Sequence, residues 1–138
     1  MSLLLDTHVW LWWLTGSPRM PARQRETLDQ QAARELPFIA AISIWEAQML
    51  VSRGRLVSSE PFDQWIRRMT APDTVRILPL DSDVVAALHE LPPSFHGDPA
   101  DRLIVATARA HALPLATDDS AIRRSRLARL WKPSGRSR

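Results

Sequence analysis

Short apolar blocks punctuate this chain, and segments with helical spacing separate most of them. Ser2 to Asp6 contains the uninterrupted run Leu3-Leu4-Leu5 and ends in an acid, which reads as a buried strand. His8 to Leu14 is predicted as a short helix stopped by Gly16 and Pro18. Pro21 to Glu35 is polar and helix-favouring, with a proline at its start, where the missing N–H has no helical partner to lose. Pro37 to Ile42 gives a second strand, and Ser43 to Arg53 a helix ended by Gly54. Pro61 to Thr70 is a further helix with Trp65 and Met69 on one face. Val75 to Leu80 reads as a third strand, Ser82 to Leu91 as a helix and Pro92 to Gly97 as a loop. Asp98 to Ala112 is a long helix with Pro99 in its first position. Leu113 to Thr117 is a fourth strand, Ser120 to Arg126 a short helix, and Leu130-Trp131 a last edge strand.

Strands that alternate with helices imply βαβ units. The expected fold class is therefore α/β: a three-layer α/β/α arrangement around a mostly parallel central sheet. In such sheets ligands bind just beyond the carboxyl ends of the strands. The acids of this chain collect at those ends. Asp6 directly follows the first strand, and Asp118 and Asp119 follow the fourth. Glu46 lies one helical turn past the second strand, while Asp98 and Asp101 open the long helix. Carboxylates from four segments can converge on one rim. Crowded together, they repel one another unless protonated or neutralised by a cation. An all-oxygen donor set suits a hard divalent ion, Mg2+ or Mn2+.

A purely structural reading competes at most of these positions. Ser43-Ile44-Trp45-Glu46 matches a helix capping box. Asp98 is a good N-cap for a helix that begins Pro99-Ala100-Asp101, and Asp118-Asp119-Ser120 can cap the helix that follows. Asp6 has no such obvious role. His8 and His96 flank acids, whereas His89 and His111 have no metal-ligand spacing. Trp10, Trp12 and Trp13 are expected in the core or on a partner surface.

Charge sharpens the picture. Of 18 basic residues, seven fall in the last stretch: Arg123, Arg124, Arg126, Arg129, Lys132, Arg136 and Arg138. The other 121 residues hold 11 basic and 15 acidic side chains, so an acidic body carries an arginine-rich end. That is the distribution expected of a metal site beside a phosphate-binding surface. Arg102 and the group Arg123, Arg124, Arg126 and Arg129 are the candidate phosphate contacts. One domain is expected over residues 1–132, followed by a basic tail over 133–138. No apolar run approaches the ~18 residues of a membrane helix, and the first residues lack the features of a signal peptide. The absence of cysteine rules out disulfides and thiolate sites and suits a reducing cytoplasm. There is no Gly-rich phosphate loop and no nucleophile elbow.

Four strings, in order, carry a resemblance. Leu4-Leu5-Asp6-Thr7-His8-Val9-Trp10-Leu11, Ser43-Ile44-Trp45-Glu46, His96-Gly97-Asp98-Pro99-Ala100-Asp101-Arg102-Leu103 and Leu115-Ala116-Thr117-Asp118-Asp119 resemble the motifs of the PIN domain family. Within that family the chain looks like the VapC-type toxins of bacterial toxin–antitoxin pairs, over about residues 2 to 132. The resemblance implies a PIN-like fold with Asp6, Glu46 and Asp101 as core metal ligands. Asp119 is the implied fourth acid, because it stands two places after the threonine; Asp118 is the second choice. Asp98 and Thr117 are implied as supporting residues. The arginine-rich end lies outside the family pattern.

The expected chemistry is hydrolysis of an RNA phosphodiester by a metal-activated water. The implied partners are an RNA substrate, a cognate antitoxin that masks the site, and a second copy in a homodimer. The helices from His8 to Leu14 and from Ser43 to Arg53 offer apolar surface for a partner helix. Two alternatives stay open on the residues alone. A phosphoryl-transfer protein of the receiver or phosphatase kind needs a lysine near the acids or an acid two places after the first. Here the only lysine is Lys132, and that second place holds His8. A non-catalytic nucleic-acid-binding module is the other.

Overall fold

The computed structural model describes residues 2–95 and 97–133. His96 and residues 134–138, with the tail arginines Arg136 and Arg138, lie outside the described residues. The chain runs β1 (Leu4–Leu5), α1 (Thr7–Thr15), α2 (Ala22–Arg34), β2 (Phe38–Ala40), α3 (Ala41–Ser52) and α4 (Phe62–Met69). It continues through β3 (Arg76–Leu78), α5 (Ser82–His89), α6 (Pro99–Ala110), β4 (Leu115–Ala116) and α7 (Ser120–Ser125). The four strands form one parallel sheet in the order β3-β2-β1-β4, with Leu4 opposite both Phe38 and Leu115.

Alternation along each strand builds the three layers. Leu3, Leu5, Ile39 and Ala116 point into a core shared with α1 to α4, where Trp10, Leu28, Trp65 and Met69 pack. Leu4, Ala40 and Leu115 point the other way, against Val84 of α5, Ile104 and Val105 of α6 and Ile122 of α7. Burial on both faces explains why the first strand is apolar throughout. The sheet order also fixes where a site belongs. From β1 the chain moves outward on one side to β2 and β3, while β4 flanks β1 on the other. The switch point therefore lies between the carboxyl ends of β1 and β4.

The strands are shorter than the apolar blocks because helices begin at once. Asp6 is the N-cap of α1, and α3 starts at Ala41, directly after β2 and two residues before the expected Ser43. The capping-box reading of Ser43 and Glu46 is overturned by that start: the N-cap is Ala40, and no side chain caps the helix. Leu130 makes a single parallel bridge to Leu115 in place of the expected edge strand, after Arg126 turns the chain in a left-handed conformation. Among the described residues, no helix is long and apolar enough to cross a membrane.

Candidate metal centre

Asp6 leaves β1 with its backbone N–H bonded to the carbonyl of Ala116 in β4, so the two strand ends are tied together at the switch point. Its side chain is only 5% exposed. Both carboxyl oxygens are occupied: one accepts from the Thr7 N–H at 2.8 Å, the other from the Thr117 hydroxyl at 2.6 Å. Thr117 in turn accepts the backbone N–H of Asp119 at 3.0 Å. A threonine two places before an acid thus has a physical reason: one hydroxyl orients the first acid and fixes the backbone of the second.

Thr7 performs the matching task on the other side. Its hydroxyl donates to Glu46 and lies 2.8 Å from the Ser43 hydroxyl. Because Thr7 has a single hydroxyl proton, donation to Glu46 assigns the Ser43 proton to Thr7. Ser43 and Thr7 are completely buried. Neither residue figured among the expected site residues. The usable signal was a polar residue directly after Asp6, inside an otherwise apolar stretch.

Glu46 on α3 meets Asp98 and Asp101 at the start of α6, one carboxyl oxygen from each lying within 4.8 Å of the others. Asp98 caps α6 by accepting the Asp101 N–H at 3.1 Å, and Asp119 caps α7 by accepting the Ile122 N–H at 2.9 Å. Capping and cluster membership coexist, so the structural and functional readings of these acids do not compete. Asp98, a supporting residue on sequence grounds, belongs to the closest trio. Asp118 is exposed.

The electrostatics of the trio and of Asp6 are those of a site short of positive charge. Burial is the first cause that raises the Asp6 carboxyl above its ordinary value, with the Asp119 charge adding to it against the Thr117 and Thr7 hydrogen bonds. Burial likewise raises Glu46, helped by Asp6 and Asp98. Asp101 is pushed up to about 8, first by burial and then by the charges of Asp6, Asp98, Asp119 and Glu46. Besides the hydrogen bonds to Asp6 and the one Thr7 gives Glu46, His8 acts in the opposite sense on both acids. Three acids held above their ordinary values, Asp6, Glu46 and Asp101, beside the further carboxyl oxygens of Asp98 and Asp119, fit a hard divalent cation, which removes the repulsion.

The expected phosphate contacts are distributed unevenly. Arg102 is turned into the fold: it donates to the Phe95 carbonyl at 3.1 Å and lies 5.8 Å from the centre of the Phe95 ring. Arg123 reaches the Thr117 carbonyl at 3.4 Å, beside the acids. Arg129 reaches the Ala112 carbonyl at 3.3 Å. Arg124 and Arg126 are exposed on and just beyond α7. Of the tryptophans, Trp10 is fully buried, with its indole N–H bonded to the Met69 carbonyl; Trp12 and Trp13 are half-buried against the same core.

Comparison with known proteins agrees with this fold. The sequence profile of the PIN domain matches residues 3–126. Ribonuclease VapC22 of Mycobacterium tuberculosis is 36% identical over 125 residues, covering 91% of this chain and 92% of that protein. VapBC2 from Rickettsia felis, solved bound to a DNA fragment from its promoter, has a similar fold (TM-score 0.73, 18% identity, 95% of this chain and 98% of that chain). A toxin–antitoxin complex from Klebsiella pneumoniae is also similar in fold (TM-score 0.58, 24% identity, 86% of this chain and 87% of that chain).

Proposed function

The chain belongs to the PIN domain family, and from that premise we propose that it is a metal-dependent endoribonuclease, the toxin of a toxin–antitoxin pair. The observation that carries the reading is the convergence of Asp6, Glu46, Asp98, Asp101 and Asp119, from four separate segments, on the switch point of a parallel sheet. Asp6, Glu46, Asp101 and Asp119 would hold Mg2+ or Mn2+, with Asp98 beside them. When bound, such an ion supplies positive charge for phosphoryl oxygens and lowers the pKa of a water.

The chain's own residues prepare that arrangement. Thr117 and Thr7 lock the Asp6 carboxyl in one orientation, and the Ser43–Thr7 pair holds Glu46. Preorganised acids need no reorientation when substrate arrives. Asp101, with its pKa near 8, carries a proton at neutral pH in the metal-free chain and gives it up on loading. Arg123, beside Thr117, is placed to meet a phosphate from the α7 side. A protein antitoxin covers this open rim in the cytoplasm until release. A second copy is expected against the open β3 edge, where Ile77, Leu80 and Val85 are each more than 40% exposed.

The test is cleavage of end-labelled single-stranded RNA by the purified chain, with Mg2+, with Mn2+ and with a chelator. Cutting is expected only with metal, and Asp101→Asn is expected to abolish it while far-UV circular dichroism stays unchanged. Equal cutting in chelator, or full activity of Asp101→Asn, overturns the reading.

A further inference from the structure

A cavity of about 850 Å3 opens beside the acids, between α1 and α3. Both helices begin at the acidic rim and run away from it. The near end of the cavity is lined by His8, Glu46 and Asp98, and the far end by Arg19, Arg53 and Arg55. Arg53, the residue that caps α3, stands seven positions after Glu46, a rise of about 10 Å. Gly54, left-handed at φ 70°, ends that helix and lets arginines on both sides of it line the same cavity. All three arginines are exposed, and none forms an ion pair with a carboxylate among the described residues.

Aromatic rings stand between the two ends. Trp12 and His8 are four residues apart on α1, their ring centres separated by 5.8 Å. Trp45 faces the same cavity from α3, immediately before Glu46 in sequence, and is 52% exposed. The core takes up Trp10, Trp12 and Trp13 of α1, whereas the Trp45 indole on α3 is left half in water next to a candidate ligand.

We propose that this groove is a subsite for a single-stranded stretch of the RNA substrate, with Trp45 stacking a base adjacent to the scissile phosphate and Arg53, Arg55 and Arg19 receiving the phosphates beyond it. The proposal rests on the ribonuclease reading above and adds the path of the strand. Charge order selects the occupant. A polyanion with one phosphate at the metal site and the next ones at guanidinium groups matches an acidic end followed by a basic end. An apolar helix from a protein leaves the three arginines unmatched. Stacking on an indole and phosphate contact together are the usual means of holding a single strand without base pairing.

The experiment is an abasic scan on a cleaved RNA of defined cut site. Substrates lacking one base at successive positions from the cut are compared for wild type, Trp45→Ala and Trp45→Phe. In wild type, one position within two nucleotides of the cut raises KM about tenfold, the lower part of the range for base stacking. In Trp45→Ala the intact RNA already shows that rise and the same abasic position adds nothing; Trp45→Phe restores most of the sensitivity. In Arg53→Gln/Arg55→Gln the log–log salt slope of RNA binding flattens by about 1.4. Identical abasic profiles in wild type and Trp45→Ala, with RNA cleavage intact, overturn the subsite and leave the ribonuclease reading standing. Loss of antitoxin binding by Trp45→Ala with an unchanged abasic profile assigns the groove to the protein partner and also overturns it. Absence of any RNA cleavage by wild type overturns both.

Discussion

Asp6 and Asp98 contribute to the same acidic cluster from environments that differ in almost every respect. Asp6 is buried, and each of its oxygens has a named donor from a different part of the chain. Asp98 is exposed, and it accepts the Asp101 N–H of its own helix. The floor of the site therefore fixes positions, while the rim adds charge that water already screens. Function should be far more sensitive to small chemical changes in the floor than to charge removal at the rim.

The largest effect should come from setting these two residues against each other. Asp6→Asn is expected to lower RNA cleavage by about 100-fold or more, since metal at a phosphoryl oxygen supplies several kcal/mol. Asp98→Asn, which keeps an equally good N-cap, should lose no more than about tenfold. Both should keep the fold. Equal losses measured in a single-turnover assay would erase the distinction between floor and rim.

A smaller effect isolates orientation from charge. Thr117→Val keeps volume and removes the hydroxyl that holds Asp6 and Asp119. Loss of such a supporting bond is expected to reduce activity or metal affinity by about 10- to 100-fold. Asp118→Asn, next in the chain and exposed, should change either by less than about twofold, with Asp119→Asn well above it. A loss at Asp118 that exceeds the loss at Asp119 would reverse their assignment.

Much of this was legible in the sequence because it depends on local order. Apolar runs ending in acids located the strand ends, and the parallel fold then required those ends to share a rim. What escaped depends on partners distant in the chain. Ser43 and Glu46 have the spacing of a capping box, yet the helix starts earlier and both side chains turn to Thr7, which lies 36 residues before Ser43. No local rule distinguishes a hydroxyl that caps a helix from one that bridges two segments. Arg102 similarly reads as a free cation beside an acidic motif until Phe95 is found beneath it.

The smallest effect concerns stability in the absence of metal. Asp101 in the folded, metal-free chain has a pKa near 8, against an ordinary value of 3.8. The fold thus favours its protonated form. That contribution is complete below the ordinary value and is lost as pH rises through the folded one. Melting in chelator should fall between pH 5 and pH 8.5 by on the order of 1–2 kcal/mol, discounted for the water that still reaches this half-buried group. Excess Mg2+ should reverse the trend, and Asp101→Asn should flatten it. A melting temperature in chelator that rises with pH across this window would contradict the charge crowding inferred for the cluster.

Asp6, Asp98 and Asp119 all double as N-caps, and asparagine caps a helix as well as aspartate does. In the genetic code, either aspartate codon becomes an asparagine codon by one base transition. On the proposed function, a cell that this chain poisons is therefore a single nucleotide change from a folded, silent version of it. Such a version keeps the surfaces on which a partner could still be captured. Survivors of unopposed expression should be rich in that substitution at Asp6, and they should accumulate intact protein rather than truncated chains.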